Sequence, residues 1–205
     1  MNKLIIIGAS GHGKVVADIA DKNGYEEIYF LDDNDSQKDC AGFPVIGKLA
    51  EISKYEDCDF VVAIGNSKIR KKITEKIQGY NIVSLIHPNA IISRRVSIGR
   101  GTVVMAGAVI NSDTKIGESC IVNTGATVDH DCSISDYCHI SVGTHIAGTV
   151  SIGLGTWIGA GAVVSNNLKI ASDSFIGAGG VVIKDIFESG TYVGNPVRRI
   201  NKLEI

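Results

Sequence analysis

Every sixth residue from Ile86 to Val182 is Ile or Val, without a miss over seventeen positions: Ile86, Ile92, Ile98, Val104, Ile110 and onward through Ile176 to Val182. With these two residues making up 50 of 205, chance would give such a run on the order of once in ten billion trials. Four residues after each anchor the side chain is mostly small, as at Ala90, Thr102, Ala108, Cys120, Ala126 and Cys132. Branched anchors and small partners at this period predict short strands turning around a triangular prism. Three hexads make one coil, the anchors stack inside, and successive coils pair edge to edge at about 4.8 Å. No insertion breaks the phase, so no loop should protrude, and the run amounts to five to six coils.

Residues 1–85 follow another pattern. Apolar runs alternate with helix-like stretches, and the elements read as a strand Leu4 to Ile7, a helix Lys14 to Asn23 and a strand Ile28 to Leu31. A helix near Lys48 to Lys54, a strand Phe60 to Ile64, a helix Ser67 to Gln78 and a strand Ile82 to Leu85 complete the unit. This alternation predicts a small parallel sheet with helices packed on it. The division expected is an α/β unit over 1–85 and a prism over 86–205.

Composition narrows the function. Glycine (24) far exceeds proline (3) and aromatics are only 6%, which suits tight repeated corners. The formal net charge of -2 offers no basic excess to hold a polyanion, so no nucleic-acid partner is expected. No apolar run reaches the roughly 18 residues needed to span a bilayer, and the start Met1 to Ile7 is too short for a signal peptide. Five cysteines without paired spacing fit a reducing compartment, so a cytoplasmic location is expected.

Chemistry is concentrated in a few places. Gly8-Ala9-Ser10-Gly11-His12-Gly13-Lys14 joins a strand to a helix, where backbone N–H groups can receive a diphosphate. It departs from a nucleotide-hydrolysing loop because Val15 stands where a magnesium-binding hydroxyl is needed, and it lacks the Gly-x-Gly-x-x-Gly dinucleotide spacing. Asp32-Asp33 and Gly65-Asn66 follow the next strands and would line the same crevice, although an Asp pair after a strand also serves as a plain turn cap. In the prism, His130 lies between Asp129 and Asp131, off the anchor positions. It is either an oriented general base or a surface histidine in an acidic corner. His130, His139 and His145 could also be imagined as zinc ligands, but the last two fall on adjacent faces. Cys120, Cys132 and Cys138 occupy the small inward position, as buried thiols rather than nucleophiles.

Together these motifs, with Asn123-Thr124, His139-Ile140-Ser141-Val142-Gly143, Ala147-Gly148 and the tail Val193-Gly194-Asn195-Pro196, resemble the hexapeptide-repeat nucleotide-sugar acetyltransferases. That family includes the bacillosamine-type N-acetyltransferases and the sialic acid O-acetyltransferases. The resemblance implies a Rossmann-like front domain followed by a left-handed parallel β-helix. It implies acetyl-CoA as co-substrate with no tightly bound cofactor or metal, a nucleotide sugar as acceptor, and a homotrimer. By the same resemblance His130 would be the base and Asp131 its partner. Ser10, Gly11, His12, Asp32, Asp33, Gly65 and Asn123 would hold the acceptor; His139, Gly148, Ala160 and Ala178 would contact acetyl-CoA. The expected reaction is N-acetylation of a UDP-4-amino-4,6-dideoxy sugar. O-acetylation of a sialic acid, a zinc hydratase resembling γ-class carbonic anhydrases, and a non-catalytic sugar-nucleotide sensor are the alternatives.

Overall fold

A computed structural model describes residues 3–200. In the front unit β1 (Lys3–Ile7) is followed by α1 (Gly11–Lys22), β2 (Glu27–Leu31), β3 (Asp39–Cys40), β4 (Phe43–Gly47), β5 (Asp59–Val62), α2 (Ser67–Lys76) and β6 (Asn81–Ile82). The sheet order is β3-β4-β2-β1-β5-β6, parallel except for the β3–β4 hairpin. Leu4 to Ile7 is buried from both sides, which explains its uninterrupted apolar run.

Three local features refine these expectations. The hairpin escaped notice because its two-residue loop is Ala41-Gly42, both at positive φ, rather than the Asn-Gly pair that advertises such a turn. The helix expected near Lys48 to Lys54 is present over Leu49–Tyr55, wound as a 3-10 helix. The strand expected at Ile82 to Leu85 divides, Asn81–Ile82 joining the front sheet and Leu85–Ile86 opening the prism.

The prism contains seventeen two-residue strands, from Leu85–Ile86 to Val181–Val182, in three parallel sheets. Partners lie one coil apart, as in Val104↔Val122 and Ile140↔Ile158. Every anchor from Val104 to Val182 is buried in one continuous core. The first anchor, Ile86, is 36% exposed, because only one neighbouring coil covers it.

Inward polar side chains bind carbonyls of the following coil: Thr102 Oγ1 to Gly117 O (2.8 Å), Thr114 Oγ1 to Asp129 O (2.6 Å) and Cys138 Sγ to Gly153 O (3.2 Å). Thr and Cys at these sites are therefore satisfied donors within the core. Corners repeat with the same regularity. From Gly101 to Gly179 every sixth residue has positive φ, and where glycine is absent the position is taken by Asp113, Ser119, Asp131, Tyr137, Thr149, Asn167 or Asp173.

The three faces differ. Outward residues Leu85, Val103 and Ile121 of the first sheet are buried against α1 and β1 of the front unit. The third sheet presents exposed Ser97, Lys115, Ser133, Ser151 and Lys169. The second presents Ile91 (66% exposed), Val109, Thr127, His145 and Val163 (37% exposed), an apolar face open to its surroundings. A short antiparallel pair, Thr191–Val193 with Arg198–Ile200, closes the far end of the first sheet.

Candidate active site

The crevice at the carboxyl ends of β1, β2 and β5 is where an open α/β sheet accepts a ligand. Gly8, Asp32, Asp33 and Ile64 line a cavity of about 190 Å³ there. The glycine loop is shorter than expected, since Gly11, His12 and Gly13 already belong to α1 and Ser10 is its N-cap, with no side-chain cap bond. Gly8 is needed for backbone reasons: its φ is +108°, and an added Cβ would lie 2.9 Å from Ala63 O. At Gly13 a Cβ would lie 2.2 Å from Gly8 O. Gly11 and Gly65 are different, for nothing lies within 4 Å of an added Cβ at either. Their bareness serves no packing need of the chain and leaves backbone accessible to a ligand at the helix N-terminus.

Both aspartates carry structural duties. Asp32 accepts from Ala9 N–H (2.6 Å) and Asn34 N–H (2.8 Å), pinning the glycine loop, while Asp33 accepts from Leu49 N–H (3.1 Å). The turn-cap reading is thus realised in geometry, with both residues still at the crevice rim.

His12 is not a solvated loop residue. Its Nε2 is buried without a hydrogen-bond partner among the described residues. Burial first, and then the charge of Arg70, lower its pKa to about 4. Nearby on the first sheet, His139 is 8% exposed and stacks on Trp157, with ring centroids 4.6 Å apart. Burial, Arg70 and His12, in that order, lower its pKa to about 3. Asn123 Oδ1 accepts from Thr124 N–H, which turns its amide nitrogen toward His139 Nε2 at 3.3 Å. Nε2 is then the acceptor and the proton resides on Nδ1. Nδ1 has no well-formed hydrogen bond, although the Gly65 backbone lies close enough to favour protonation there. Asn123 and His139, expected to serve different substrates, are direct neighbours, and Gly65 and His12 adjoin them.

His130 stands elsewhere. It occupies the corner between the second and third sheets, whereas His139 opens a strand of the first sheet. The corner opposite a prism face cannot share a site with that face in one chain. Its ring is exposed, and Nδ1 binds Asp131 Oδ2 at 2.8 Å. Asp129 accepts from His130 N–H and from Asn111 Nδ2, both at 2.8 Å. The Asp131 hydrogen bond and then the Asp129 charge raise the His130 pKa. With Nδ1 held, Nε2 is the nitrogen free to exchange a proton. A Cβ added at Gly148 would lie 2.7 Å from both Cε1 and Nε2 of this ring, so Gly148 provides its space.

The expected acetyl-CoA contacts are therefore divided. Gly148 belongs to the His130 corner, while the exposed Ala160 and Ala178 sit one coil apart on the edge between the first and second sheets, the same edge as Asn123. His145 points from the second face and pairs with Thr127 Oγ1 (3.0 Å). His130, His139 and His145 thus diverge within one chain, and no metal-holding group of three His, Cys, Asp or Glu exists among the described residues. Arg70, Asn111 and Trp157 are neighbours of the candidate groups that the sequence reading missed.

The sequence model of the PglD N-terminal domain matches residues 3–77. The acetyltransferase domain of PglB from Neisseria gonorrhoeae, solved alone and with acetyl coenzyme A, is 43% identical at a TM-score of 0.94, covering 98% of this chain and 100% of that one. PerB from Caulobacter crescentus, solved with CoA and GDP-perosamine, is 35% identical at a TM-score of 0.94, covering 98% of each chain. UDP-N-acetylbacillosamine N-acetyltransferase of Bacillus subtilis is 36% identical over 113 residues. That alignment spans about half the length of the curated relative, 52%, and 52% of this chain.

Proposed function

This chain belongs to the hexapeptide-repeat nucleotide-sugar acetyltransferases, with a Rossmann-like unit and a left-handed parallel β-helix, and on that premise we propose that it acetylates a nucleotide-linked amino sugar. The acetyl donor is acetyl-CoA, used as a co-substrate with no tightly bound cofactor. The acceptor is the 4-amino group of a UDP-4-amino-4,6-dideoxy sugar. Residues 1–85 bind the nucleotide, with the α1 N-terminus at Ser10, Gly11 and His12 on the diphosphate and Asp32, Asp33 and Gly65 around the nucleoside. Residues 86–205 carry the transfer.

The observation that carries this reading is the His130–Asp131 pair, an exposed imidazole with one nitrogen held at 2.8 Å and the other free. The acceptor amine attacks the thioester carbonyl as His130 Nε2 takes a proton from the nitrogen. The C–S bond then breaks, and the imidazolium returns that proton to the departing CoA thiolate. Backbone N–H groups stabilise the oxyanion in between. Asp131 holds the imidazole and favours its charged form.

A homotrimer completes this site. The apolar second face has the Asn123, Ala160 and Ala178 edge on one side and the His130 corner on the other. Three copies packed by that face around a three-fold axis would bring the His130 corner of each beside the Asn123 edge of the next. His130 then acts in trans on an acceptor held by the neighbouring protomer. No helix among the described residues is long and apolar enough to cross a membrane, and a cytoplasmic enzyme would keep its five free cysteines reduced.

The test is CoA thiol release from acetyl-CoA against a panel of nucleotide-linked 4-amino sugars, with free sialic acid as the hydroxyl acceptor. Release with a 4-amino sugar nucleotide is expected. Release with sialic acid alone would replace N-acetylation by O-acetylation, and silence with every acceptor would remove the enzymatic reading.

A further inference from the structure

Among the described residues Arg70 is the largest fully buried side chain, 1% exposed, and no carboxylate pairs with it. It lies in the first turn of α2, after the N-cap Asn66, whose side chain accepts from Ile69 N–H. All of its hydrogen bonds go to backbone carbonyls. In the front unit Nη1 donates to Ile64 O (2.7 Å) and Gly65 O (2.8 Å). In the prism Nε donates to Ser119 O (2.7 Å), and Nη2 to Tyr137 O (2.6 Å) and Cys138 O (3.4 Å).

Ser119 and Tyr137 are two of the corner residues with positive φ that lack the tolerance of Gly, Asn or Asp for this conformation. Arg70 grips both. Such strain persists where surrounding bonds over-determine the backbone. Thr74 Oγ1 adds a contact to Ser119 Oγ (3.3 Å), and Lys71 Nζ lies 5.9 Å from the centre of the Tyr137 ring. One guanidinium thus ties the turn that ends at Gly65 to the strand entry that leads directly into His139.

We propose that Arg70 is the positioning residue of the junction where the two units meet, holding the Gly65 backbone and His139 at a fixed spacing. A planar fork with five donors suits five convergent carbonyls, which an ammonium cannot satisfy together. Burial holds the Arg70 pKa at about 10, so the charge persists at neutral pH. The charged and titratable groups acting on His139 are Arg70 and His12, and the one acting on His12 is Arg70. Burial first, and the Arg70 charge after it, keep both imidazoles neutral, on the reading that the acceptor binds beside them.

The experiment compares Arg70→Gln and Arg70→Lys in the full-length chain. Three readouts are used: imidazole NMR titration, hydrogen exchange of the peptide containing Ile64 and Gly65, and steady-state kinetics. In Arg70→Gln, His12 and His139 should titrate at least about one unit higher. In Arg70→Lys they should stay low, because the charge remains, while exchange at Ile64–Gly65 accelerates at least about tenfold as the fork is lost. Both variants should raise KM for the nucleotide sugar about tenfold with kcat within about threefold of the parent.

A purely structural role would lower the melting temperature without moving the histidines, the exchange at Gly65 or the KM, and that result would overturn the proposal. If Arg70→Gln does not fold, unchanged exchange in Arg70→Lys is equally contrary. If the parent itself turns over no amino-sugar nucleotide, the functional reading has failed. The titration and exchange arms, which need no substrate, then decide the role of Arg70.

Discussion

His130 and His139 lie on successive coils and live in opposite surroundings. His130 projects from a corner with a carboxylate on either side, and its pKa is raised. His139 is enclosed by Trp157, Asn123 and the front unit, faces a buried cation, and is pushed to about 3. The first can trade a proton near neutral pH, and the second can offer only a fixed hydrogen bond. Residue type says nothing of this difference. It arises because one histidine follows a strand at an open corner, and the other opens a strand on the face covered by the front unit.

The largest effect that would separate the two is on turnover. His130→Ala should lose about a hundred- to ten-thousand-fold in kcat while both substrates still bind. His139→Ala should act mainly on substrate KM rather than on kcat. Stopped-flow single-turnover rates distinguish these outcomes, and near-normal turnover in His130→Ala would mean that the proton acceptor is elsewhere.

A smaller effect concerns pH. The base must be neutral to accept a proton, so a raised His130 pKa means that kcat falls as pH drops through a midpoint above the ordinary histidine value. Asp131→Asn removes the hydrogen-bonded carboxylate, the largest cause of that shift, and should move the midpoint to lower pH. Asp129 remains, so the displacement should be partial, and the loss of rate at high pH smaller than in His130→Ala. His139 should contribute no limb near neutrality. A kcat profile of the two proteins from pH 5 to 9 tests this, and an unmoved midpoint would place the titrating group outside the His130–Asp131 pair.

The same contrast explains what could be read in advance. The hexad anchors were legible because each coil needs the same inward side chain, and burial from Val104 to Val182 follows the period. The outward positions obey a different rule, set by what covers each face. Taken every third hexad they give Leu85, Val103, Ile121, His139, Trp157 and Phe175, an apolar and aromatic series that marks the covered sheet. A period of six averages that series away.

The front unit hid its key residue more completely. In α2 an amphipathic reading buries Ile69 and exposes Arg70, yet Ile69 is 49% exposed at the crevice and Arg70 is buried. The reversal comes from the prism, whose corner carbonyls at Ser119 and Tyr137 require donors that no apolar side chain supplies. His130 and Asp131 could be singled out as a motif, but their separation from Asn123 and His139 depends on which corner follows which strand. Only the three-dimensional arrangement exposes two half-sites.

The claim that these half-sites meet across a subunit boundary is tested most directly by mixing two inactive variants. His130→Ala keeps an intact nucleotide crevice, while Gly11→Trp fills the open space at the α1 N-terminus and keeps an intact His130. Each alone should be inactive. Unfolded and refolded together in equal amounts, they should assemble randomly into trimers in which about one interface in four pairs an intact crevice with a neighbour's intact His130. Acetyl transfer at about a quarter of the parental rate is predicted. If the mixture is as inactive as its parts while mixed trimers are demonstrably present, His130 does not act in trans and the two-half-site account is contradicted.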